Sequence, residues 1–120
     1  MKSILVIEDN AVLADFIAEV LQEEGYDVEL AANGQEGLQK LPEVHPDLVI
    51  TDLMMPKLSG EEVCKVIHAD PEFRSIPVVL MTSRVDESLK VKCKYDAFLP
   101  KPFDLYHLLG LVVRLIGVTI

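Results

Sequence analysis

Four short apolar runs in this chain each lead into a residue with chemistry to offer. Ser3-Ile4-Leu5-Val6-Ile7 runs into Glu8-Asp9, and Asp47-Leu48-Val49-Ile50-Thr51 closes on Asp52. Pro77-Val78-Val79-Leu80-Met81 closes on Thr82, and Ala97-Phe98-Leu99 is soon followed by Lys101-Pro102. Continuous apolar runs rich in β-branched residues are the pattern of strands buried on both faces, hence of a parallel sheet covered by helices. In such a sheet the carboxyl ends of the strands share one crevice, where ligands bind. Positions far apart in sequence thereby become one pocket. Three carboxylates crowded there repel, so they need a cation between them.

The segments between the runs have helical spacing. Ala11 to Glu24 is expected to be a helix with Val12, Phe16, Ile17, Val20 and Leu21 inward, stopped by Gly25. Asp27 to Ala31 alternates, as a strand near a sheet edge would. Asn33 caps a short helix, Gly34 to Leu41, which Pro42 ends. Glu61 to Ala69 is a helix with Val63, Val66 and Ile67 inward, and Asp86 to Lys92 is a weak helical candidate. Asp104 caps a last helix through Ile116. This β-α alternation implies an α/β fold with a parallel sheet and helices on both faces.

A chain of 120 residues is one domain, expected to span 1–120 with no output domain. Its net charge of −9 argues against direct nucleic acid binding, which needs Lys and Arg to displace counterions. Glu8 and Asp9 interrupt the first apolar run too early for a signal peptide. The apolar stretch Leu108 to Ile120 contains Arg114 and is too short to span a bilayer, so no membrane association is expected and the compartment is cytoplasmic. Cys64 and Cys93 match no metal spacing and read as small semi-buried residues in a reducing environment. His45, His68 and His107 read as surface residues.

Mg²⁺ takes oxygen ligands, usually one or two carboxylates with a phosphate oxygen and waters. Asp9 and Asp52 suit that need, and Glu8 suits a metal-bound water. Lys101 supplies a point charge for a phosphate oxygen or for Asp52, and Thr82 supplies a hydroxyl. These parts suit a carboxylate nucleophile attacking phosphorus, with metal and lysine stabilising the transferring group.

The chain resembles the receiver domains of two-component response regulators, the CheY-like family, from about Lys2 to about Ile116. The resemblance rests on Val6 to Asn10, Ala32-Asn33-Gly34, Asp47 to Pro56, Gly60, Ile76 to Thr82 and Phe98 to Phe103, in that order. It implies a doubly wound five-stranded parallel sheet of order 2-1-3-4-5, flavodoxin/CheY-like. It implies a switch whose phosphoacceptor is Asp52, with a sensor histidine kinase or phosphotransfer protein as donor. Glu8, Asp9, Asp52 and the backbone carbonyl of Met54 would serve Mg²⁺, for which Mn²⁺ could substitute. Thr82 would bind the phosphoryl group, Lys101 would pair with it, and Phe98 would be the aromatic switch residue behind Thr82. The Lys101-Pro102 bond is expected to be cis. Such a domain catalyses only its own phosphoryl transfer and hydrolysis, and its output is read by a downstream protein or output domain.

The chain departs from the family pattern between Thr82 and Phe98, where it is a few residues short, so the fourth helix is expected to be short or irregular. Ser83 replaces a residue often smaller, and Met54 and Arg84 flank the pocket where water access is tuned. The last helix is apolar nearly all round, which reads either as a core helix with a loose tail or as a homodimer or partner-docking surface. The alternative activity is an aspartyl-nucleophile phosphatase or phosphotransferase acting on an external substrate. Such enzymes commonly carry a second acid two residues after the nucleophile, where this chain has Met54. A flavodoxin-like cofactor site is disfavoured because Glu8-Asp9-Asn10 would repel a phosphate.

Overall fold

The computed structural model describes residues 1–83 and 92–118. Five strands, β1 (Ser3–Ile7), β2 (Asp27–Ala31), β3 (Leu48–Asp52), β4 (Val78–Thr82) and β5 (Ala97–Pro100), form one parallel sheet of order β2-β1-β3-β4-β5. Among the described residues there are four helices: α1 (Ala11–Glu23), α2 (Gly34–Val44), α3 (Gly60–Ala69) and α4 (Leu105–Ile116). The helix expected over Asp86 to Lys92 lies, Lys92 apart, outside the described residues. So does Arg84.

Every residue of β3 and β4 is buried, as their unbroken apolar runs require. The alternation of β2 reflects its place at the sheet edge, where Asp27 and Glu29 face water. The strand period of two divides the core in half. Ile4 and Val6 point to a cluster with Ile17 and Leu21 of α1 and Leu108 and Val112 of α4. Leu5 and Ile7 point to the opposite cluster, with Leu41 of α2 and Val63, Cys64 and Ile67 of α3. Each fully buried aliphatic side chain stabilises the fold by about 1.5–3 kcal/mol.

Side chains meet the termini of all four helices. Asn10, Asn33, Ser59 and Asp104 accept hydrogen bonds from the backbone N–H groups of Leu13, Glu36, Glu62 and His107. At the far end of α4, Lys2 Nζ donates to the Ile116 carbonyl and Tyr26 Oη to Gly117 O at 2.6 Å. The lysine places a cation at the negative end of the helix dipole.

Three expectations need correction. Val12 is 81% exposed and Phe16 46% exposed, because α1 packs through Ala14, Ile17, Ala18 and Leu21 instead. These buried positions follow the i, i+3, i+4, i+7 spacing of one helical face, which leaves Val12 and Phe16 off that face. In α3 the same shift leaves Val66 exposed and buries Cys64. Pro42 does not end α2, which continues to Val44 before His45 turns into the left-handed region. A proline so near the terminus forfeits one hydrogen bond and leaves only the last turn to be completed. Among the described residues no helix is long and apolar enough to cross a membrane.

Candidate functional site

The sheet register brings the separate strand ends together. Asp52 of β3 pairs with Met81 of β4, Thr82 with Pro100 of β5, and Ile7 of β1 with Thr51 of β3. Glu8, Asp52, Thr82 and Lys101 therefore stand side by side along one edge. Burial sets them apart. The buried polar side chains among the described residues are Glu8, Thr51, Asp52 and Thr82, and three of these four were expected at the site. A buried polar group costs free energy unless it is paired, so this concentration marks a place where polar chemistry is retained.

Lys101 is the pivot. Its Nζ lies 2.5 Å from Asp52 Oδ1 and donates to Glu8 Oε1 at 2.9 Å. Glu8 Oε2 accepts a hydrogen bond from the Asn10 backbone N–H at 3.0 Å. The Lys101 backbone N–H donates to Thr82 O at 2.7 Å, and the Lys101–Pro102 bond is cis. Asp9 is exposed at the rim. Met54 lies in the loop after β3 with its side chain 64% exposed.

Among the described residues, one ammonium faces three carboxylates at the site, which leaves these groups short of positive charge. Burial pushes the Asp52 carboxyl up, and the Glu8 carboxylate pushes it further against the pull of Lys101, to about 8. Burial also works against ionised Glu8, but hydrogen bonds from Asp52, the Asn10 N–H and Lys101 hold it down, to about 2. The two carboxyls are thus coupled, and burial together with the Glu8 charge favours the neutral form of Asp52. Lys101 loses solvation by burial, yet the two carboxylates hold its ammonium above the ordinary lysine range.

The donor set fits a hard divalent cation. Carboxylate oxygens of Glu8, Asp9 and Asp52 lie within 4.8 Å of one another, close enough for one small ion to bridge, and oxygen-only ligands select Mg²⁺-like ions. A divalent ion held there would offset the carboxylate charge that raises the Asp52 pKa.

Residues 4–113 match the response regulator receiver domain family. The chain belongs to that family. This receiver domain is 39% identical over 115 residues to hybrid signal transduction histidine kinase D of Dictyostelium discoideum, covering 93% of the chain and 7% of the kinase. It is 38% identical over 103 residues to the DNA-binding response regulator MtrA of Mycolicibacterium paratuberculosis, covering 83% of the chain and 44% of that regulator. The receiver domain therefore spans less than half the length of either relative. Among solved structures, response regulator protein TrrA of Thermotoga maritima, in complex with Mg(2+)-BeF, superposes with a TM-score of 0.87 at 34% identity, covering 97% of this chain and all of that one.

The site also contains groups that the sequence did not single out for their contacts. The buried Thr51 hydroxyl donates to Asp52 O at 3.1 Å. Gly60 N donates to Leu53 O at 2.9 Å and brings the start of α3 against the strand end. Thr51 carried a signal, as a hydroxyl inside an otherwise apolar strand. Phe98 is half-buried on β5, packs against the α2–α3 side of the core, and has its ring centroid 4.4 Å from that of Tyr95.

Proposed function

We propose that this receiver domain is a phosphorylation-dependent signalling switch in which Asp52 accepts a phosphoryl group from a sensor histidine kinase or phosphotransfer protein. The observation that carries the reading is the pairing of Asp52 with Lys101 at 2.5 Å inside a cluster of three carboxylates. Glu8, Asp9, Asp52 and the Met54 backbone carbonyl would hold Mg²⁺, with Mn²⁺ able to substitute. When bound, the ion supplies charge neutralisation for the carboxylates and for the transferring group.

The remaining roles fall to side chains. An ionised Asp52 oxygen bonds to phosphorus as the bond from phosphorus to the donor histidine nitrogen breaks. Lys101 moves its hydrogen bond from Asp52 to a phosphoryl oxygen while Glu8 keeps its ammonium in place. The Thr82 hydroxyl takes another phosphoryl oxygen. Its inward shift opens space for the Phe98 ring and biases the face around β5 toward a second shape. The domain catalyses only its own phosphorylation and dephosphorylation.

The donor must reach Asp52, and the surface beside it is suited to a protein. A groove of about 330 Å³ is lined by Leu13, Phe16, Ser83, Lys101, Pro102 and Phe103. The acidic balance of the chain supports output through a downstream protein or output domain rather than direct nucleic acid contact. Exposed Leu105, Tyr106 and Val113 on α4 support self-association through that helix. A cytoplasmic location suits a kinase partner that uses ATP.

The test is titration with beryllium fluoride, a tetrahedral phosphoryl mimic, with and without Mg²⁺, followed by amide NMR. Shifts at Thr82 and Phe98 that need both components support the switch. Shifts confined to the Asp52 loop would contradict the proposed route to β5.

A further inference from the structure

Cys64 and Cys93 are distant in sequence, yet the fold brings them to one half of the core: Cys64 is part of the cluster against which Cys93 packs, and Cys64 Sγ meets the residue that follows Cys93. Cys64 lies on the inner face of α3 and is fully buried, whereas Cys93, in the connection that enters β5, is partly open to solvent. The same stretch is tied to α3 by two further polar contacts. Cys64 Sγ is 3.4 Å from Lys94 O, and the Lys92 backbone N–H donates to the Glu61 carboxylate. Cys93 and Phe98 pack against the same half of the core.

We propose that Cys64 and Cys93 form a reversible disulfide that staples α3 to the connection leading into β5. A disulfide demands close approach of the two side chains, and the 3.4 Å contact of Cys64 Sγ with Lys94 O sets Cys93 in the same neighbourhood. The partly exposed Cys93 is the thiol that an oxidant reaches first, and buried Cys64 is the resolving partner.

With a peroxide as oxidant, the Cys93 thiolate attacks one peroxide oxygen and the O–O bond breaks. Cys93 becomes a sulfenic acid, and the leaving oxygen departs as water after taking a proton. The Cys64 sulfur then attacks the Cys93 sulfur. The S–S bond forms, the S–O bond breaks, and a second water leaves with the Cys64 proton. Both sulfurs are oxidised, and the peroxide is reduced to water. Burial pushes both thiols above the ordinary cysteine range, so the reaction is slow and favoured by alkaline pH.

The consequence is mechanical. Phe98 is only five residues beyond Cys93, so a covalent tie to α3 restricts the backbone that carries it. The redox reaction itself is independent of Asp52 phosphorylation.

The test treats the full chain with hydrogen peroxide under non-reducing conditions, then applies peptide mapping, intact mass and hydrogen exchange. The expected result is a monomer lacking two hydrogens, a Cys64–Cys93 linked peptide, slower exchange over residues 92–99, and reversal by dithiothreitol. Cys93→Ser, which alters the more exposed partner, is expected to fold and to lose the linked peptide. Sulfinic acid at Cys93 with Cys64 unmodified, or disulfides only between chains, would overturn the proposal. A linked peptide without slower exchange would overturn the restriction on β5.

Discussion

Gly60 stands directly against the Asp52 carbonyl. A Cβ placed on Gly60 would lie 2.1 Å from Asp52 O and 2.9 Å from Leu53 Cα. The colliding atoms are backbone, so neither can rotate away. The first residue of α3 thus sets how closely that helix approaches the strand end that carries Asp52.

Gly60→Ala is therefore expected to destabilise the domain by about 1–3 kcal/mol, the usual cost of overpacking. It is also expected to weaken Mg²⁺ binding, because relief of the clash displaces Asp52. Urea unfolding with and without Mg²⁺ checks both effects. Wild-type stability in the variant would contradict the close approach.

Stability should depend on pH in a direction set by Asp52. Its folded-state pKa, about 8, lies above the ordinary 3.8. The stabilisation from protonated Asp52 is complete below pH 3.8 and is lost as pH rises through 8. Glu8 runs the other way: held to about 2, it contributes stability above its ordinary 4.5 that is lost as pH falls through 2. Between pH 5 and 8 the Asp52 contribution dominates. The metal-free domain is expected to lose about 2 kcal/mol across that window after allowance for solvent screening. Mg²⁺ should restore it, so the rise in Tm on adding Mg²⁺ grows from pH 5 to pH 8. Asp52→Asn should flatten both trends and stabilise the metal-free domain at pH 8. Thermal melts across this range are the check. A Mg²⁺ effect that shrinks with rising pH would refute the charge assignment.

The two faces of α1 give a clean contrast. Ile17 is fully buried, and Ile17→Ala should cost about 2–5 kcal/mol. Val12 is largely exposed, and Val12→Ala should change stability by no more than about 0.5 kcal/mol. Equal losses in denaturant melts would mean that the helix packs through a different face.

Much of this fold is legible in the sequence because parallel strands buried on both faces leave few polar positions to confuse the reading. The runs ending at Ile7, Asp52 and Thr82 are examples. The edge position of β2 is equally visible in its alternation. Helical faces are harder to read. Val12, Phe16 and Val66 are apolar and fit a helical period, yet the packed face of α1 is built around Ala14 and Ala18, whose small size carries little hydropathy signal. Proline in the last turn of α2 misleads because the penalty of an interior position does not apply in full there. At the site, Glu8, Asp52, Thr82 and Lys101 were readable because each follows a strand run. The approach of Gly60 to Asp52 O, and of Cys64 to the stretch that holds Cys93, is tertiary and no local pattern records it.

The most direct measurement is intact mass after incubation with acetyl phosphate, in wild type and Asp52→Asn, with Mg²⁺ and with the metal chelated. The account predicts a single phosphoryl-sized mass gain in the wild type, present only with Mg²⁺ and absent from the variant. A gain that persists in Asp52→Asn, or that forms as readily without a divalent cation, would contradict it.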